Sequence, residues 1–198
     1  MLVIGLALDT SYSYASVAII KDGKVLYYIN NNKPNKQAEI INVAIENGLN
    51  SVGIEYQDLG YVAVTVGVGR FTGLRVGISV ANAMHFALKL PLIPVSSFEA
   101  IAYNYKNKKI GIVLEAGIEK FYFQSFNCCE SNSDIKIITK AEVELLKEKY
   151  FLVGNVDIVA NQVTLDARDI AYYANYKYKA MIGSISGYIK PLYVAKGC

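Results

Sequence analysis

Residues 67–84 read GVGRFTGLRVGISVANAM, and three small residues in this stretch, Gly73, Gly77 and Ala81, fall at i, i+4 and i+8. On a helix that spacing leaves one face without bulk. Each glycine inside a helix costs roughly 0.5–1 kcal/mol relative to alanine. Two on one face therefore imply that another backbone comes close. That backbone can belong to the chain's own sheet or to a helix of another protein, and periodicity allows both. Helical propensity alone makes Gly77→Ala slightly stabilising, provided the position is an ordinary helical one.

The same glycines suggest a phosphate-binding loop, but neither familiar pattern fits. A dinucleotide fingerprint needs G-x-G-x-x-G, and Gly67, Gly69 and Gly73 leave the second interval one residue too long. A Walker loop needs Gly-Lys-Ser or Gly-Lys-Thr, and the chain contains neither.

Composition narrows the class. The 198 residues are 53% hydrophobic and 19% charged, as expected of a well-cored globular chain of one large or two small domains. A net charge of +3 does not by itself imply nucleic-acid binding, and the densest basic cluster, Lys106, Lys108 and Lys109, reads as a solvated linker. Residues 1–8 are apolar, but they lack a basic leader and run into Asp9, so they read as a strand. No apolar run approaches the ~18 residues of a membrane span, and the expectation is a soluble protein. Cys128, Cys129 and Cys198 show no CxxC spacing and His85 is the only histidine, so no metal site is expected.

Along the chain, apolar runs at 2–8 and 61–66 read as buried strands, and Asp22-Gly23 between 14–20 and 24–29 signals a hairpin. Helical spacing appears at 37–49, at 98–105, and from the glycine stretch to about Lys89; residues 91–95 form a short strand. The polar segment 104–109 predicts a boundary between domains 1–106 and 107–198. Beyond it, strands at 110–114, 121–126, 135–139 and 151–153 accompany helices at 141–150 and 166–177. The second half thus echoes the first at reduced length. Tyr172, Tyr173, Tyr176 and Tyr178 read as second-domain core and interface rather than as an RNA site.

With these residues in place the chain resembles the TsaB (YeaZ) family of tRNA threonylcarbamoyladenosine biosynthesis. The resemblance rests on LALDTS at 6–11, ASVAIIKDGKVL at 15–26, the GPGSFTGLRVG-like run at 67–77 and PLIPVSS at 91–97, and more loosely on 112–126. It implies an α/β fold of two ribonuclease-H-like domains, as in the actin, Hsp70 and sugar-kinase superfamily, with the second domain reduced here. It also implies a cytoplasmic, non-catalytic subunit without a cofactor. Such a subunit pairs with the catalytic homologue TsaD and supports the ATPase TsaE. The complex adds a threonylcarbamoyl group beside the anticodon of ANN-reading tRNAs, so tRNA is met through the complex, and a homodimer can form without TsaD. In these terms the opening stretch begins an interaction helix. The expected partner-binding residues are Glu39, Asn42, Glu46, Arg70, Gly73, Gly77, Ala81 and His85.

The sequence departs from the family at Val68 and Arg70, which replace proline and serine, and at residues 36–39, where many members carry a histidine. Glu115-Ala116-Gly117 replaces an Asp-Ala-Arg-like turn. The alternative is a kinase-like phosphotransferase of the same superfamily, using Asp9-Thr10-Ser11 with Glu115 as the second acidic centre. Strand-to-hairpin turns also favour Asp, Thr and Ser for local hydrogen bonds. One histidine cannot make an HExxH zinc site, and no G-x-S-x-G elbow is present, so peptidase chemistry is not expected.

Overall fold

The computed structural model describes residues 3–31, 33–180 and 187–194. Contacts divide the described residues into two units. The first takes those within Met1–Ser96 and Asp166–Leu192, and the second those within Ser97–Leu165 together with the described residues after Leu192.

The first unit is built on a five-stranded sheet ordered β3-β2-β1-β4-β5. Its strands are β1 (Ile4–Asp9), β2 (Ser16–Lys21), β3 (Lys24–Asn30), β4 (Leu59–Gly67) and β5 (Leu92–Ser96). β1 to β3 run antiparallel, while β4 joins β1 and β5 joins β4 in parallel. The β2–β3 hairpin turns at Asp22 and Gly23, with φ of 51° and 86°, so both central residues take the left-handed geometry that suits the strands' twist.

The two faces of this sheet are built from different sizes of side chain. Leu6, Leu8, Val17, Ile19, Val62 and Val64 form a bulky core with helices α1 (Gln37–Val52) and α2 (Phe71–Leu88). α1 buries Ile41, Ala44, Ile45, Gly48 and Leu49, leaves Glu39, Asn42 and Glu46 exposed, and ends at Gly53 with φ 67°. The alternate strand positions Gly5, Ala7, Ala18 and Ala63 are small. Such a face admits a helix at close range, and α5 (Ala167–Ala180) packs on β1, β2 and β5. It turns Ala167, Ile170, Ala171 and Ala174 inward, and Tyr178 stacks on Tyr61 with ring centroids 4.8 Å apart. The tyrosine-rich helix thus completes the first sheet, although chain order places it in the second half.

The second unit carries a six-stranded sheet ordered β11-β10-β6-β7-β8, with β9 also paired to β7. Its strands are β6 (Lys109–Gly117), β7 (Lys120–Asn127), β8 (Glu130–Ser131), β9 (Lys136–Thr139), β10 (Phe151–Gly154) and β11 (Asn161–Gln162). Helix α3 (Ser97–Asn104) packs on β6, and α4 (Lys140–Leu146) starts in a capping box between Thr139 and Glu142. The β7–β8 turn is made by Cys128 and Cys129, with φ of 49° and 73°, where glycine or asparagine would be usual.

The assignment of faces on α1 has a direct test. Ile45 is 1% exposed, and an unpaired charge there lies in an apolar core, so Ile45→Asp should abolish cooperative unfolding of the first unit. Asn42→Ala, on the exposed side, should hold the unfolding free energy within about 0.5 kcal/mol. Urea titration followed by circular dichroism distinguishes the two.

Candidate functional site

At the end of β1 the chain makes the turn Asp9-Thr10-Ser11, and the glycine stretch closes over it. All three residues are buried. The Thr10 hydroxyl donates to the Gly73 carbonyl at 2.7 Å and accepts from the Gly77 amide at 3.1 Å. It bridges two backbone groups one turn apart on α2, with its donor and an acceptor both engaged. Bulk is excluded from the contact: a Cβ at Gly73 would overlap the Thr10 carbonyl oxygen, and one at Gly77 would lie 2.5 Å from Thr10 Oγ1. Ala81, next along this face, is 0% exposed.

The close approach is therefore made to the chain's own first strand. Gly73, Gly77 and Ala81 are covered within the unit, and they offer no surface to another helix. The loop before α2 is occupied in the same way, because the Arg70 amide donates to the Ser11 carbonyl at 2.7 Å. A Cβ at Gly69 would lie 2.6 Å from that carbonyl oxygen. Space and amides that a phosphate loop would offer a ligand are filled here by the Thr10-Ser11 turn.

Asp9 is 3% exposed. Its Oδ1 accepts from the Ser11 amide at 3.1 Å and from the Thr65 hydroxyl at 2.7 Å. Burial pushes its carboxyl above the ordinary carboxylate range, opposed by these hydrogen bonds and reinforced by the charge of Asp166. Asp166 itself accepts from the Tyr28 hydroxyl and pairs with Arg168, 2.7 Å away. Ser16 Oγ accepts from the Ala167 amide at 2.9 Å. These polar groups tie the strand ends to the start of α5. Glu115, the second acidic candidate, is exposed in the second unit, and its amide donates to Asn155 Oδ1. Among the described residues no group of three or more His, Cys, Asp or Glu is placed to hold a metal ion, and no helix is long and apolar enough to cross a membrane.

The outer side of the unit looks different. Between α1 and α2 runs an open groove of about 540 Å³, lined by Ala38, Ile41 and Asn42 from one helix and by Phe71, Arg75, Val76 and Val80, among others, from the second. The Arg75 guanidinium sits 3.7 Å from the centre of the Phe71 ring. Of the residues expected at a partner surface, Asn42 lines this groove. Glu39 and Glu46 are exposed on α1, with Glu39 paired to Lys36 at 2.7 Å. Arg70 is exposed beside the N-terminus of α2, and Nη1 reaches Asn35 Oδ1 at 3.4 Å. His85 is half-buried, and its Nδ1 lies 2.6 Å from the Leu90 carbonyl, where it holds the C-terminal turn of α2. Phe71, Val76 and Val80 were missed by the sequence reading. Their signal is a second helical stripe, with Val76 and Val80 at i and i+4 on the flank of the glycines.

The sequence family described as TsaD, tRNA N6-adenosine threonylcarbamoyltransferase, matches residues 34–172. A relative from Buchnera aphidicola subsp. Schizaphis graminum, described as tRNA threonylcarbamoyladenosine biosynthesis protein TsaB, is 32% identical over 76% of this chain and 77% of its own. The chain belongs to the TsaB family. A TsaB from Bacillus subtilis is 33% identical over 50% of this chain and 43% of its own. The solved structure of YeaZ from Pseudomonas aeruginosa matches with a TM-score of 0.81 at 20% identity, covering 97% of this chain and all of that one. That likeness establishes the fold, a mixed α/β architecture consistent with two ribonuclease-H-like domains.

Two measurements follow for this TsaB-family chain. Gly77→Ala should destabilise by about 1–3 kcal/mol, the cost of overpacking, and so reverse the sign that helix propensity alone would give. Thr10→Val, which keeps the shape and removes the hydroxyl, should cost about 1 kcal/mol through the loss of its hydrogen bonds to Gly73 and Gly77. Both are read from urea midpoints.

Asp9 makes a pH-dependent contribution of defined sign. Its carboxyl is raised in the folded state, so between the ordinary value near 3.9 and the raised one the folded chain binds more protons than the unfolded. Stability from this group is therefore highest in acid and falls as pH rises through that window. Asp9→Asn retains an Oδ1 acceptor and removes the fall, so its unfolding free energy should exceed the wild type's at pH 7 and converge with it in acid. A series of urea midpoints across pH checks this.

Proposed function

We propose that this chain is a non-catalytic assembly subunit that binds the catalytic TsaD homologue of its own genome through the outer faces of α1 and α2. It thereby supports TsaE and TsaD in adding a threonylcarbamoyl group to the adenosine next to the anticodon of ANN-reading tRNAs in the cytoplasm. The observation that carries this reading is the apolar groove between α1 and α2. Phe71, Val76 and Val80 line it, and Phe71 is 47% exposed, a large apolar side chain open to water on a surface helix. A partner helix laid in such a groove buries these groups, with Asn42 and Arg75 at its polar rim. Without TsaD, a second copy of the chain can occupy the same face.

The buried turn speaks against a kinase-like role. Asp9 is enclosed, its Oδ1 is bonded to Ser11 and Thr65, and the loop that would cradle phosphate packs on the chain's own backbone.

Binding to the TsaD homologue is read by co-purification and by titration calorimetry. Ser79→Arg adds bulk and charge at an exposed position in the groove and should weaken association at least tenfold, about 1.4 kcal/mol. The melting temperature should be unchanged. Wild-type affinity in this variant would move the interface elsewhere, and ATP turnover by the isolated chain that disappears in Asp9→Asn would favour the phosphotransferase.

A further inference from the structure

By sequence the second unit carries nine lysines against nine acidic side chains, so it is not basic as a whole. Its lysines are unevenly distributed. Lys106, Lys108 and Lys109 are exposed, fall within four residues of one another, and each stands over an aromatic ring. Lys108 Nζ is 4.6 Å from the centre of Phe151, Lys106 Nζ is 5.3 Å from Tyr103, and Lys109 Nζ is 5.4 Å from Tyr150. Tyr105 and Phe151 lie with ring centroids 6.2 Å apart. Strand register gathers these groups at one end of the sheet, because Ile110, next to Lys109, pairs with Phe151.

Two features separate this cluster from an ordinary solvated turn. The ion pairs among the described residues are made by Lys36, Lys147 and Arg168, so these three ammonium groups are paired with no carboxylate among those residues. Phe151 is 41% exposed at the start of β10, and an apolar ring left in water beside Lys108 gains more by being covered than by staying open. Cations interleaved with accessible rings suit a polyanion whose units have flat faces. The phosphates meet the ammonium groups and a base stacks on a ring. An anionic lipid surface would satisfy the charges and leave the stacking geometry unused.

We propose that this end of the second sheet contacts a single-stranded segment of RNA directly, with Lys106, Lys108 and Lys109 on phosphates and Phe151, flanked by Tyr105, as the stacking platform. The proposal rests on the reading of the chain as a tRNA-modification subunit, and gives it an RNA contact of its own in addition to any made through a partner.

The test uses the full-length chain alone, so it is independent of whether TsaD is bound. Fluorescence anisotropy is followed with a labelled oligouridylate and with duplex RNA of the same length, across a salt series. Binding of the single strand should weaken with log salt at a slope of about −2, as expected of three phosphate contacts. Lys108→Glu with Lys109→Glu should weaken it at least tenfold. Phe151→Leu, which keeps an apolar side chain and removes the ring, should weaken it about tenfold. Lys120→Glu with Lys136→Glu makes the same charge change elsewhere in the unit and should stay within about twofold of wild type. Thermal melting of every variant confirms that it is folded. Absence of binding, equal loss in the Lys120 and Lys136 control, unaltered binding by Phe151→Leu, or equal affinity for duplex would each overturn the proposal. Loss of TsaD binding in the groove variant with this RNA contact intact would separate the two readings.

Discussion

A single hydroxyl sets how close α2 can come to the first sheet. Thr10 reaches from the end of β1 into the backbone of α2 and engages Gly73 and Gly77 with one oxygen. A neutral hydrogen bond adds only about 1 kcal/mol net, but a buried group deprived of its partner costs more than that. The contact therefore acts chiefly as a constraint. It works only if positions 73 and 77 lack a side chain, and it fixes the height and rotation of α2 over β1 and β4. From that rotation the outward positions follow, so Phe71, Arg75, Val76 and Val80 face α1 across an open groove because the glycines face inward.

The sheet beneath is asymmetric for a related reason. Branched side chains on one face hold α1 and α2 at ordinary distance. The opposite face combines Gly5, Ala7, Ala18 and Ala63 with Tyr61, whose ring occupies the space above Gly5, and with Ile20 and Ile93, which register places opposite Gly5 and Ala63. Polar residues cluster only at the strand ends, where Asp9, Thr65 and Ser16 meet the start of α5. Asp9, Thr10, Thr65 and Ser16 all bond to groups of this same unit.

Much of this was legible in the sequence because local rules determine it. Asp22-Gly23 specified its hairpin, the helical spacing at 37–49 fell within α1, and the strands at 2–8 and 61–66 fell close to β1 and β4. Non-local choices were not legible. Spacing revealed that Gly73, Gly77 and Ala81 share a face, but only the fold reveals that Thr10 fills it. Nothing in the period of α5 says which sheet it covers, since alanines at that spacing suit any small-residue face. Cys128-Cys129 carries no turn signature, yet both residues adopt left-handed geometry because the paired strands on either side demand it. The lysines at 106–109 read as solvated until strand register placed aromatic rings beneath them.

The placement of α5 has a consequence for how the molecule is made. The first sheet is complete in sequence by Ser96, but the helix that covers its small-residue face begins at Ala167. During synthesis the ribosome must deliver the whole of the second unit before that face can close. Until then Tyr61 and its alanine neighbours stand open to water and to other nascent chains, and the closing contacts span more than half the polypeptide. Long-range closure of this kind slows folding and lengthens the exposure of a sticky intermediate. The second unit is in effect an insertion that the first must wait for, and a fragment ending near residue 106 would be a sheet with one side unfinished.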